Sequence, residues 1–141
     1  MKDLPEPEAP LPVDRQPLLG TELIARERNR QISQEKWSAR HDDQHTDQSL
    51  AIVAALYAVA GIPDVMVIDT NTAEESNEDA WPASWASGYD KRDEHPRLRQ
   101  LAIAGALIAA EIDRLQRAGI EDEKRERAEN AARVRQSHSG L

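Results

Sequence analysis

The chain contains no cysteine and no phenylalanine. Without thiols there is no disulfide framework, no thiolate metal site and no cysteine nucleophile. Without phenylalanine, the large core side chains must come from Leu, Ile, Val and the three Trp and two Tyr. Long apolar runs are missing too: the longest, residues 50–62, is too short to cross a bilayer. No apolar leader follows Met1, so the expected compartment is the cytoplasm. Basic charge is also short. A formal charge of −8 opposes a surface that neutralises many phosphates, which makes nucleic acid an unfavoured partner. No Gly-rich phosphate loop, nucleophile elbow or Ser/His/Asp order occurs.

What remains is a palette of Leu, Ala, Ile, Glu and Arg that favours helices. Residues 1–19 hold five of the eight prolines, Pro5, Pro7, Pro10, Pro12 and Pro17, and read as an extended arm that flexes or docks. Thr21 is a suitable N-cap for a weakly apolar helix over 21–37. Thr46 or Asp47 would cap a helix over 47–60 that is apolar all round, with Gly61 as its stop. Residues 61–94 are irregular, with Val65 to Ile68 either a short strand or a packed loop.

The best-defined element spans 96–118, from Pro96 to a stop at Gly119. In it Leu98, Leu101, Gly105, Ile108, Ile112 and Leu115 step by three and four, a seam for which helix 47–60 is the natural partner. Residues 121–135 alternate acids and bases and read as a solvated helix. The expected fold is all-α: a bundle of three to four helices over 20–119, flanked by the arm and by a charged helix and tail over 120–141.

Three polar groupings stand out. Helical projection puts Glu111 inside the apolar arc of its helix and Arg28, Gln31 and Glu35 on the inward side of theirs. A buried carboxylate needs a partner, and Arg28 paired with Glu111 is one solution; a cavity for a polar ligand or a divalent ion is the other. Next, His41-Asp42-Asp43-Gln44-His45 places two imidazoles at i,i+4 among carboxylates, a donor set suited to Mg²⁺ or Mn²⁺ and to metal-assisted attack of water on a phosphoester or phosphoanhydride. Acids just before a helix also arise from capping alone. Finally, Trp81, Trp85 and Tyr89 precede Lys91 and Arg92, aromatic faces beside cations of the kind that hold a base and its phosphate. The same Trp residues would also serve to clamp the loop onto the helices.

Taken together, Glu27-Arg28 with Arg30-Gln31, Trp37 leading to His41-Asp42-Asp43 and His45, Ala54-Ala55 to Tyr57-Ala58, Trp81-Pro82 with Trp85, and Ala104 to Ile108 with Ala110-Glu111-Ile112 resemble a family of small proteins encoded by tailed phages and prophages. The resemblance covers about residues 22–118. Where similar sequences have Gly before the Trp, this chain has Lys36. The resemblance implies a phage accessory protein, a class that commonly manipulates nucleotides or blocks host immunity.

Three functions follow. The first is an oligomeric binding protein that captures a nucleotide-like small molecule or a host factor, through Arg28, Gln31, Trp37, Trp81, Trp85, Tyr89, Lys91, Arg92 and Glu111. The second is a metal-dependent nucleotide hydrolase, resembling in general style the all-α NTP pyrophosphatases, with Glu35, Asp42, Asp43 and Glu111 as ligands. The third is an acidic inhibitor of a basic host protein. The binding reading is placed ahead of the enzyme.

Overall fold

In a computed structural model, residues 17–71 and 79–139 are described. The structure is helical, as the composition predicts, with no strand among the described residues. Helix α1 spans Gly20–Ser33, α2 is a single turn at Ala39–Asp42, α3 spans Ser49–Val59 and α4 spans Arg97–Ser139. Two 3₁₀ turns, Ser87–Tyr89 and Arg92–Glu94, lie in the connection before α4. Residues 1–16 of the Pro-rich arm and residues 72–78 of the loop lie outside the described residues. None of the described helices is long and apolar enough to cross a membrane.

The core is the seam between α3 and α4. Leu50, Val53, Ala54 and Tyr57 meet Ile103, Ala104, Leu107 and Ala110, and Trp85 closes the cluster from the loop. Burying Leu50, Leu56 and Leu107 contributes about 1.5–3 kcal/mol each. The alanines shorten the distance between the two helices, so this Ala-rich stripe, and not the one through Leu101 and Ile108, forms the contact. Leu98, Leu101, Ile108, Ile112 and Leu115 are instead exposed, which corrects the expected seam. The two stripes are adjacent on one helix and equally periodic, so spacing alone does not choose between them. Gly105 does admit a close neighbour, but it is α1: a Cβ there would stand 2.5 Å from Ile24 Cδ1.

Several boundaries differ from expectation for local reasons. Leu19, with no side-chain bond, precedes α1 where Thr21 was expected to cap. Ahead of α3, Asp47 does supply the capping interaction, accepting from Ser49 N at 3.1 Å, while Gln48 takes the left-handed N-cap position at φ 65°. Gly61, at φ 73°, follows the end of α3 as expected. Val65 to Ile68 is a loop, joined to the next segment by the bond from Ala80 N to Val67 O.

The largest departure is at Gly119, which lies inside α4. The helix runs 43 residues, roughly 65 Å, and residues 119–139 are exposed along their whole length. A glycine in a helix interior costs about 1 kcal/mol but breaks no hydrogen bond, and ion pairs such as Lys124–Glu121 and Arg125–Asp122 support the continuation. Gly119 meets nothing within 4 Å of its potential Cβ. Gly119→Ala is therefore expected to stabilise the helix locally by about 1 kcal/mol, read as slower amide exchange over residues 115–123 and greater helicity. Faster exchange or lower helicity there would mean that the helix stops at Gly119.

Candidate functional site

The short linker after α1 turns through Lys36, whose φ of 61° is the left-handed conformation that glycine adopts without strain. Trp37 then donates its backbone N–H to Gln31 O at 2.9 Å, which folds the linker back over the last turn of α1. Ser38 accepts from His41 N and starts α2. This arrangement sets the Trp37 ring flat against His41, with centroids 5.6 Å apart and planes within 3°. Trp85 meets Trp37 edge-on at 5.7 Å, and Tyr89 meets it at 5.9 Å.

Behind these rings a chain of hydrogen bonds ties the loop to α3. The Trp85 indole N–H donates to Ser49 Oγ at 2.8 Å, and Ser49 Oγ lies 3.2 Å from His45 Nδ1. Accepting from the indole leaves Ser49 its own hydroxyl proton, which a neutral His45 can accept at an unprotonated Nδ1. Burial lowers the His45 pKa, and the neighbouring His41 acts in the same direction. Asp47 accepts from Ser49 and Ser84, and these bonds hold its carboxyl down to about 2.

On the outer side of the rings is a cleft of about 420 Å³ between α1, the loop and the start of α4. Trp37 and Tyr89 give it aromatic walls, Gln31 and Tyr57 lie at its buried end, and Arg30, Lys91, His95 and Arg99 provide cationic or protonatable groups, with Glu35 and Glu94 among them. The Tyr57 hydroxyl donates to Tyr89 O at 3.2 Å and accepts from Lys91 N at 3.1 Å, which fixes both cleft residues to α3. Burial raises the Tyr57 pKa. Glu27, 5% exposed, takes Arg30 at 2.7 Å and Arg99 at 3.2 Å, which anchors both arginines from below. Lys91 has no acidic partner among the described residues, and Arg99 Nε is buried without one.

Of the residues singled out for ligand binding, the structure brings Gln31, Trp37, Tyr89 and Lys91 together in this cleft. The other five lie elsewhere. Trp85 is buried behind the walls. Trp81 donates to Trp85 O, and its ring is covered by the Arg92 guanidinium, 5.6 Å from the centroid. Arg92 is itself bound by Asp79 at 2.6 Å and Asp90 at 2.7 Å, which raise its pKa together.

Arg28 pairs with Asp42 at 2.7 Å, and Glu111 pairs with Arg114 through bonds of 2.8 and 2.6 Å. The expected Arg28–Glu111 pair is thus replaced by two separate ones. Arg114, at i+3 from Glu111, reaches it without crossing between helices, and both are 6% exposed.

The carboxylates proposed as metal ligands are divided among arginines. Asp42 takes Arg28 and also lies 3.1 Å from His41 Nδ1; Asp43 takes Arg117 at 2.8 Å, Glu35 takes Arg30 and Glu111 takes Arg114. His45 faces Ser49 and Trp85. Among the described residues no three His, Asp or Glu side chains converge as a metal site. Sequence reasoning missed Tyr57 and Arg99. Tyr57 carried a signal, since a hydroxyl in an otherwise apolar helix requires a partner; Arg99 carried none.

Two outcomes test this interior. His45 is held neutral in the fold, while an unfolded histidine titrates near 6.5. The unfolded chain therefore binds the extra proton first, so this contribution is complete above about pH 6.5 and is lost as pH falls below it toward the lower folded pKa. Denaturant midpoints should drop from pH 7.5 to 5.5, with a smaller drop in His45→Gln; an equal drop in both would rule out His45 as a source. Separately, Glu111→Leu strands a buried Arg114 and is expected to cost about 3–5 kcal/mol, most of it recovered in the Glu111→Leu, Arg114→Met double variant. Equal losses in single and double variants would show that the pair is not coupled.

Comparison of the chain with protein-family models, with curated proteins and with solved structures found no match.

Proposed function

We propose that this chain is a phage-encoded accessory protein that binds a nucleotide-like small molecule in the cleft beside Trp37 and Tyr89, acting in the bacterial host cytoplasm on a host signal or nucleotide pool. The observation that carries the reading is the coexistence, in one cleft of about 420 Å³, of aromatic rings with the Lys91 ammonium and the Arg99 guanidinium. A planar base stacks on aromatic faces whatever its identity, and cations lining the same cleft complement a phosphate. The cleft is of the size that small ligands occupy, and its walls are largely preformed: Tyr57 fixes the backbone at Tyr89 and Lys91, and Glu27 holds Arg30 and Arg99. The resemblance to small tailed-phage proteins supports a role in the contest with the host.

The same geometry supports capture more than turnover. The acids that would have held a catalytic divalent ion are each matched to an arginine, and the cleft's own acids, Glu35 and Glu94, stand among cations.

Isothermal titration and thermal shift against a panel of mononucleotides, dinucleotides and cyclic nucleotides test the proposal. At least one class is expected to bind, and at a hundred times its Kd it should stabilise the fold by about 2.7 kcal/mol. Lys91→Ala should weaken that binding and flatten its salt dependence while leaving the melting temperature of the free protein unchanged. Absence of heat and of thermal shift across the panel at millimolar ligand would overturn the reading.

A further inference from the structure

The geometry points to Gln31 as the residue that sets specificity in this cleft, its carboxamide reading a ligand ring edge that carries a hydrogen-bond donor beside an acceptor. This inference rests on the proposed binding function and names the chemical class of the ligand: a heterocycle with an amide-like or amidine-like edge, as nucleobases have, in preference to a plain aromatic ring or a sugar.

Gln31 is 0% exposed, and both Oε1 and Nε2 are buried without a partner. Of the groups around it, Arg30 is bound by Glu27 and Glu35, Tyr57 by Tyr89 and Lys91, and Trp37 N–H by the Gln31 carbonyl, while Arg28 Nε and Nη1 and Arg99 Nε are likewise buried without a partner among the described residues. Buried polar atoms in folded proteins are nearly always paired, and one left open costs stability that an apolar residue of the same shape would not. Helix α1 thus carries, on its inward face, a donor and an acceptor that nothing among the described residues satisfies, and Gln31 borders the cleft.

A carboxamide presents C=O and N–H₂ side by side in one plane. Its natural complement is an N–H next to a C=O, or an amine next to a ring nitrogen, the bidentate pairing by which Gln reads adenine. Because Trp37 and Tyr89 stand at 66° to each other, a planar ring stacks on one and meets the other edge-on; a bidentate bond at the buried end then fixes which edge points inward and leaves the phosphate toward Lys91. Stacking and charge hold any nucleotide; only the carboxamide distinguishes one ring edge from another. A site built around a hydrogen bond strongly rejects ligands that cannot make it, because its polar groups then stay unpaired.

The test uses the full chain with AMP, GMP, UMP and CMP, and with ribose 5-phosphate as the probe that lacks a ring edge. For the best-bound nucleotide, Gln31→Met is expected to lose about 10- to 100-fold in affinity, to leave ribose 5-phosphate binding unchanged, and to melt at the same or a higher temperature than the wild type without ligand. Gln31→Glu, which keeps the shape but offers only acceptors, should shift preference toward GMP, whose N1–H and N2–H₂ are both donors. If the wild type binds nucleotides and Gln31→Met binds them equally well, the binding function stands and the assignment to Gln31 falls. If Gln31→Met unfolds or melts lower without ligand, the amide is satisfied in the free protein and the assignment falls as well. If the wild type binds none of these and none of the dinucleotides or cyclic nucleotides of the wider panel, both readings fall.

Discussion

The buried hydrogen bond from the Trp85 indole to Ser49 Oγ is the contact on which the rest of the arrangement turns. A chain without phenylalanine closes its core with the largest side chain it has, and an indole is costly to bury unless its N–H finds an acceptor. Ser49, at the start of α3, provides that acceptor, and its hydroxyl also lies within hydrogen-bond distance of His45 Nδ1. Through this link a loop residue is fixed to the central helix, and its ring becomes the backing against which Trp37, Trp81, Tyr89 and His45 pack. Rings held from behind are suited to stack with a ligand in front, since little ordering entropy is left to lose on binding.

The interior is unusually polar for a domain of this size. Glu27, Asp42, Glu111 and Arg114 are all buried, and each has a charged partner. Buried ion pairs of this kind do little for net stability, because desolvation offsets attraction, but an unpaired member would be severely destabilising. The chain is therefore constrained to a packing in which each of the buried acids Glu27, Asp42 and Glu111 meets an arginine. Among the described residues the buried side-chain atoms left without a partner belong to Arg28, Gln31 and Arg99, and of these Gln31 alone has both ends of its polar group bare and lies, with Arg99, where a cleft meets the core.

The helices themselves were readable from the order of residues. Apolar residues over 50–59 without a charge announce a central helix, and Gly61 in the left-handed region ends it as such a residue should. Asp47 before α3 was recognisable as a capping residue because a carboxylate two positions ahead of a helical N–H reaches it locally. Gly119 misled because a glycine that ends one helix is chemically the same as a glycine that interrupts another; only the surrounding charges, pairing at i,i+3, carried the helix through. The inward position of Glu111 followed from projection, yet its partner did not, since an arginine one turn away and an arginine on another helix are equally good in sequence.

Helix content, the central place of α3 and the inward positions of Gln31 and Glu111 were thus determined by sequence alone, because each depends on the period of the helix and on interactions within a few residues; Glu35, expected inward with them, is exposed because α1 ends at Ser33 and not near Trp37. Tertiary structure decided the remainder: that the Ala-rich stripe of α4, not the Leu101–Ile108 stripe, meets α3, that Arg92 is spent on Trp81 and two aspartates, and that Gln31, Trp37, Tyr89 and Lys91 from opposite ends of the domain share one cleft. The physical reason is that choosing between two equally periodic faces, or between two equally charged partners, is settled by how closely backbones approach and by which groups remain unpaired when they do. Neither quantity is defined until the helices are packed.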